Sequence, residues 1–374
     1  MGTRHIATAT IAAVFGACWT MAAPAADIDY GKPGTPVKLV VGYQPYYTQA
    51  WSGVVMRGKK FYEKYLPKGS EVEFQIGLQG AIIVNNMLAG KQNIGYYGDM
   101  PGIVSTTKQD VADIRLVGVL GLAWDQCNAF LVRNDAPKFA SDKEAIKWLD
   151  GKTVAVPKGS CTDRFAQATF KKFNIQPKEY LNQNIEVITS NFRAGKLDAA
   201  VMWEPTTSRL VEEGLARLIA TGWSVQENDG GLLGMRADLI KQRPDVVKAW
   251  LMAELDAQEF LADPKNAPEV VKMAKEQTTG FSERVLWKSL YGRNADVAGG
   301  QPIRNVLYYT FTPEVRELIS RAAAFLYSIK SINVEKLRPE AIEAQWTEEI
   351  LKERKLKSPI GEVKALPDAQ APKE

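Results

Sequence analysis

Apolar and polar positions fall into short runs along the first third of the chain. VKLVVG (37–42), EVEFQI (71–76), NIGYY (93–97) and RLVGVLG (115–121) each read as a β-strand. Between them, Trp51–Tyr65 and Ala81–Ala89 carry apolar residues at helical spacing, and Gly90 stands where a left-handed turn closes a helix. The pattern then starts again, with strands at TVAV (153–156), IEVIT (185–189), DAAVMW (198–203) and ARLIAT (216–221). Helices are predicted from Thr162 to Phe173 and from Asn191 to Ala194. Strands alternating with helices predict an α/β fold built on mostly parallel sheets.

The second run copies part of the first. Ala89-Gly90-Lys91 through Gly98-Asp99 aligns with Ala194-Gly195-Lys196 through Trp203-Glu204, and a proline follows each, at Pro101 and Pro205. Two lobes of one plan are therefore expected. Ligands of such sheets bind beyond the carboxyl ends of the strands, so Asp99 and the Trp203-Glu204 pair would reach a cleft where the lobes face each other. Both carboxylates also suit helix starts, where they would serve the backbone rather than a ligand. Trp203 fits that explanation less well, because a large aromatic at a strand end needs something to cover it.

The N-terminus carries different information. Arg4 and His5, the apolar stretch Ile6–Ala22 and then Ala23-Pro24-Ala25 form a signal-peptide pattern over residues 1–25, with cleavage expected after Ala25. A lipoprotein alternative would use Cys18, but Phe15-Gly16-Ala17 matches the usual preceding residues poorly. No later run approaches the ~18–20 apolar residues of a membrane span. An exported, soluble, periplasmic chain is predicted.

With 374 residues, 45% of them apolar, the chain has enough material for two cores. Its only histidine is His5, so the processed chain would have none, which excludes Ser-His-Asp, Cys-His and His-rich metal chemistry. Neither cofactor nor metal is expected. A formal net charge of +4 falls to +3 once Arg4 is removed, and the charges are mixed along the chain, which argues against nucleic acid. Cys127 and Cys161 remain as an even pair, bridged or free, in what would be an oxidising compartment.

Three loops could form a ligand site. VPKGSCTDRF (156–165) brings Ser160, Cys161 and Thr162 to a helix start, where free N–H groups and hydroxyls favour an anion, although an ordinary N-cap would read the same. GYQPYYTQAW (42–51) supplies Gln44, Tyr46 and Tyr47, and GLQGA (77–81) places Gln79 at another helix start. Asp125 joins Asp99 and Glu204 as a nearby acid. Three ionised acids would repel a simple dianion, so a ligand with an anionic head and an amine is expected, its body held by Tyr46, Tyr47 and Trp203.

Taken in order, GYQP, the GD-x-P strand end, VPKGS, GKLDAAVMWEP and the export signal resemble the solute-binding proteins of ABC importers in the aliphatic-sulfonate, taurine and nitrate group. The resemblance implies the type II periplasmic binding fold, with two lobes, two crossing segments and a central cleft. It places lobe one at 36–126 and 235–352 and lobe two at 127–234. The crossings would lie at Cys127–Asn134 and Gly230–Arg236, with a flexible tail over 358–374. It also implies a monomer that binds a sulfonate- or taurine-like anion or zwitterion and delivers it to a permease. No Walker sequence occurs, so the ATPase would be a separate subunit. An enzyme on the same fold and a sensor-type binding protein that docks on a receptor are the alternatives.

Overall fold

The computed structural model describes residues 28–373, so the expected signal peptide and Cys18 lie outside the described residues. Among the described residues, twelve strands form two sheets. The seven-stranded sheet contains β1 (Lys38–Tyr43), β2 (Glu71–Ile76), β3 (Ile94–Gly98), β4 (Ile114–Ala123), β10 (Asp229–Arg236), β11 (Ile303–Leu307) and β12 (Gly361–Lys364). The five-stranded sheet contains β5 (Ala129–Arg133), β6 (Thr153–Val156), β7 (Glu179–Asn182), β8 (Ala199–Met202) and β9 (Ala216–Thr221). Each sheet is the floor of one lobe.

The sheets are mixed rather than mostly parallel. β1 pairs in parallel with β2 and β3, and β6 does so with β7 and β8, because a helix returns the chain between them. β10 is antiparallel to β3 and β4, and β5 is antiparallel to β8 and β9. β5 enters its sheet directly from β4 of the other lobe, and only one short helical turn (Gly222–Val225) precedes β10, so neither strand is returned by a full crossover helix.

That arrangement moves the crossings. Ala129–Arg133 is a strand of lobe two and Asp229–Arg236 a fully buried strand of lobe one, so the chain crosses at 124–128 and 222–228, upstream of both expected positions. The apolar runs once assigned to the crossings are core strands. Gly222 stitches the crossings together, its N–H donating to the carbonyl oxygens of Trp124 and Asn128. A Cβ at this position would overlap the carbonyl oxygens of Trp124 and Glu227. Beside it, the Trp124 and Trp223 rings stack with centroids 4.3 Å apart.

The internal repeat has a shared geometry. Helix α2 (Gly80–Leu88) ends at Ala89 with Gly90 at φ 72°, and helix α6 (Ile185–Arg193) ends at Ala194 with Gly195 at φ 66°. The following lysines close the same turn, Lys91 N–H to Asn86 O at 2.8 Å and Lys196 N–H to Asn191 O at 2.9 Å. Each turn leads into the strand that pairs in parallel with the first strand of its βαβ unit.

Three sequence expectations fail locally. IEVIT is not a strand but the first half of α6, because the Asn184 side chain caps Val187 N–H and Ile185, Ile188, Thr189 and Phe192 bury one helical face. Trp51–Tyr65 is not one helix: α1 (Ser52–Lys59) stops at Lys60, which takes a left-handed φ of 55°. The expected flexible tail begins with β12, which pairs with β11 and buries Val363, while Leu366 N–H donates to Tyr291 O. No helix among the described residues is long and apolar enough to cross a membrane.

Glu254 in lobe one is a buried acid with no ion-pair partner among the described residues. Glu254 accepts hydrogen bonds from the Tyr96 hydroxyl and from Gln258 Nε2, both at 2.9 Å, and burial pushes its carboxyl from the ordinary 4.5 to about 7. A raised folded-state pKa means stability that is fully present below the unfolded value and is lost as pH rises. Stability should therefore fall between about pH 4.5 and 7, by up to ~1.4 kcal/mol per pH unit for this group. Glu254→Gln should flatten that slope in urea titrations at stepped pH. An unchanged slope would show that Glu254 is not the titrating group.

Candidate functional site

A cavity of about 230 Å³ lies between the lobes at the carboxyl ends of β1, β3, β6 and β8. Gln44 and Tyr47 line it from the loop after β1, Gln79–Ala81 from the start of α2, and Gly98 from the end of β3. Lobe two adds Pro157–Cys161 and Trp203. These segments meet because each follows a strand whose C-terminus points at the other lobe.

Three helices begin at this cavity: α2, α3 (Asp99–Thr106) and α5 (Cys161–Phe173). Their N-cap residues, Gln79, Gly98 and Ser160, have extended backbones and make no side-chain cap. At α3 the first-turn donors are used or absent, because Met100 N–H donates to Asp99 Oδ1 and Pro101 has no N–H, so the free donors, with their partial positive charge, come from α2 in lobe one and α5 in lobe two. Lys158 is the one charged residue lining the cavity among the described residues, with its Nζ 4.8 Å above the Tyr180 ring. Gln44 contributes an amide whose buried oxygen has no partner. An anion with a modest apolar body matches this lining.

Six of the expected residues line the cavity: Gln44, Tyr47, Gln79, Ser160, Cys161 and Trp203. Tyr46 faces an adjoining cavity, its hydroxyl accepting from Thr279 N–H at 3.1 Å. Thr162 is fully buried outside the lining, with its hydroxyl 2.7 Å from that of Ser160, which in turn donates to Pro157 O. The two hydroxyls satisfy each other, which leaves the backbone N–H groups to meet a ligand. Cys161 is disulfide-bonded to Cys127, their Cα atoms 6.1 Å apart, and the bridge ties the start of α5 to the first crossing.

None of the three acids lines this cavity. Asp99 is buried against Arg164, 2.9 Å from its Nη2, and accepts from Met100 N–H at 2.7 Å. Asp125 is buried 3.0 Å from Arg304 Nε and 2.9 Å from Asn294 Nδ2. Glu204 accepts from the Ser208 N–H and hydroxyl, both at 2.9 Å, and faces a separate cavity beside Lys288. Burial pushes the Glu204 carboxyl up to about 7. Its bonds to the first turn of α7 (Thr206–Glu212) are those of a helix start, so the expectation that carboxylates bind an amine loses its geometric basis.

Arg164 was not foreseen, although it stands inside the VPKGSCTDRF segment. From α5 of lobe two it reaches Asp99 of lobe one and also donates to Asn228 O at 2.9 Å, binding both lobes to the second crossing. Asp229 extends the cluster: its Oδ2 lies 2.9 Å from the Tyr47 hydroxyl, and burial, with Asp99 beside it, pushes its carboxyl well up. A helix arginine reads as surface charge unless its partner is known, and this partner lies 65 residues away.

The sequence profile of the NMT1-like family matches residues 32–275. The chain is 26% identical over 249 residues to the taurine-binding periplasmic protein of Escherichia coli (strain K12), covering 64% of this chain and 72% of that protein. Among solved structures, the alkanesulfonate-binding protein of Xanthomonas axonopodis pv. citri, bound to MOPS, aligns with a TM-score of 0.62 and 19% identity over 83% of this chain and 99% of that one. The periplasmic nitrate-binding protein of Synechocystis PCC 6803 aligns with a TM-score of 0.68 and 16% identity over 92% and 93%. The desulfurization enzyme DSZB aligns with a TM-score of 0.62 and 16% identity over 85% and 99%. The shared architecture is the two-lobed periplasmic binding fold.

Proposed function

The chain belongs to the NMT1-like family, and from that premise we propose that it is the substrate-binding component of an ABC importer. In this reading the protein works in the periplasm, closes its lobes on a small organic anion of the sulfonate type and hands it to a permease driven by a separate ATPase. The observation that carries the proposal is the convergence of two uncapped helix starts, α2 and α5, on one inter-lobe cavity whose only charged lining residue among those described is a lysine. Fixed N–H dipoles hold an anion without a counter-charge that must be desolvated, and closure strengthens each contact by excluding water. With no carboxylate in the lining, an amine on the ligand gains nothing there. This shifts the expected ligand from a taurine-like zwitterion toward amine-free anions.

Calorimetry with short alkanesulfonates, taurine, aromatic carboxylates and nitrate tests the reading, and each bound compound should be recovered unchanged. Trp203→Ala should weaken the best ligand by on the order of 10- to 100-fold, since it removes a buried aromatic face worth ~1.5–3 kcal/mol. Failure of every anion to bind would overturn the proposal.

A further inference from the structure

Buried arginines in this protein have acidic partners: Arg164 with Asp99, Arg236 with Asp238, Arg243 with Asp245 and Arg304 with Asp125. Arg209, on α7, is half-buried and has no acidic partner among the described residues. Its Nε is buried with no partner, and among the described residues no carboxylate lies within ion-pair distance of its guanidinium. The guanidinium is packed 4.7 Å from the Phe281 ring centroid, and a Cβ placed on Gly280 would stand 3.6 Å from its Nη1. A half-buried guanidinium with one N–H both buried and unpaired has unmet hydrogen-bonding capacity.

The position of Arg209 gives that capacity a direction. It lines a second cavity of about 250 Å³, with Tyr46 and Phe281 of lobe one facing Ile185 of lobe two. Gln79 and Trp203 line both this cavity and the anion-binding one, so the two lie end to end along the inter-lobe cleft, separated by the indole. Glu186 is the one acid at the rim; it is solvent-exposed and stands beyond ion-pair distance from Arg209. The cavity therefore offers a group entering it aromatic surface beside a half-buried guanidinium.

We propose that the ligand carries two anionic groups on a flat or short apolar spacer, with one group at the starts of α2 and α5, the spacer against Trp203 and the second group paired with Arg209. This inference rests on the importer reading and narrows it from organic anions to bifunctional ones. A guanidinium presents paired N–H donors in the fork that a carboxylate or sulfonate accepts, and pairing would satisfy the orphaned Nε or its neighbours.

The test is calorimetry on the wild-type protein, Arg209→Gln and Arg209→Lys with three probes: benzenesulfonate, 4-sulfobenzoate and 4-aminobenzenesulfonate. In the wild type, 4-sulfobenzoate should bind at least tenfold more tightly than benzenesulfonate. Arg209→Gln should remove that advantage while leaving benzenesulfonate unchanged, and Arg209→Lys should restore part of it. Equal affinities for the first two probes in the wild type would overturn the proposal and leave the importer reading standing. A parallel loss for all probes in Arg209→Gln, with Arg209→Lys no better, would overturn it by showing that Arg209 only braces Phe281. Preference for the amino compound would overturn it in favour of Glu186, and no binding of 4-sulfobenzoate by a wild-type protein that binds a short alkanesulfonate would overturn it while leaving the importer reading standing.

Discussion

Arg164→Met should lower the free energy of unfolding by about 3–5 kcal/mol at pH 8, because it strands the buried Asp99 carboxylate without its cation. Asp99 has no exposed side-chain surface and its guanidinium partner lies 2.9 Å away. Burial pushes the Asp99 carboxyl above its ordinary range, and Arg164 is the main force holding it down. Without Arg164 the group should take up a proton at neutral pH, so the loss should shrink as pH falls toward 4, where protonation costs least. Asp99→Asn combined with Arg164→Met should recover most of the stability, since the stranded charge is then gone. Urea unfolding of the two single variants and the double at pH 4 and pH 8 gives the coupling directly. A single-variant loss below about 1 kcal/mol at pH 8 would mean that water reaches Asp99 and that the pair is not the inter-lobe clamp described above.

The second large effect concerns the disulfide. Cys127 and Cys161 are 34 residues apart, and closing a loop of that size in the unfolded chain corresponds to about 4 kcal/mol. Replacing both with alanine should cost that amount, and reductant should lower the wild-type unfolding midpoint in the same way while leaving the variant unaffected. The bridge also fixes Cys161 at the start of α5, where it lines the anion cavity, so ligand affinity should fall together with stability. Identical midpoints for oxidised and reduced protein would show that the cross-link constrains nothing that matters in the unfolded ensemble.

What the sequence disclosed and what it hid divide along one physical line. Strands such as TVAV, EVEFQI and ARLIAT were legible because their side chains report burial locally, and the observed limits agree with them. The repeat was legible because a glycine in a left-handed turn followed by a buried strand is itself a local requirement. IEVIT misled because β-branched residues in a five-residue window satisfy a strand, whereas the helical period becomes visible only when Phe192 is counted. The acids at Asp99, Asp125 and Glu204 were found, and a helix-start role stood among the readings of Asp99 and Glu204, but the cations that Asp99 and Asp125 pair with were not found. Arg164 and Arg304 come from segments 65 and 179 residues away, and no local pattern announces such a pairing. Val363 was too isolated to suggest an edge strand until β11 was in place beside it.

Lobe two is one uninterrupted stretch from β5 to β9, whereas lobe one draws its strands from both sides of it. For a chain delivered from the N-terminus, this fixes an order of completion. β3 and β4 emerge early but do not pair with each other; β10 must come between them, and it arrives only after Thr221 has closed the five-stranded sheet. Until then they present open edges of the kind that capture other chains, which makes delay in this interval the moment of greatest aggregation risk. β11 and β12 arrive later still, so the half of the molecule that is translated first is the last to be finished.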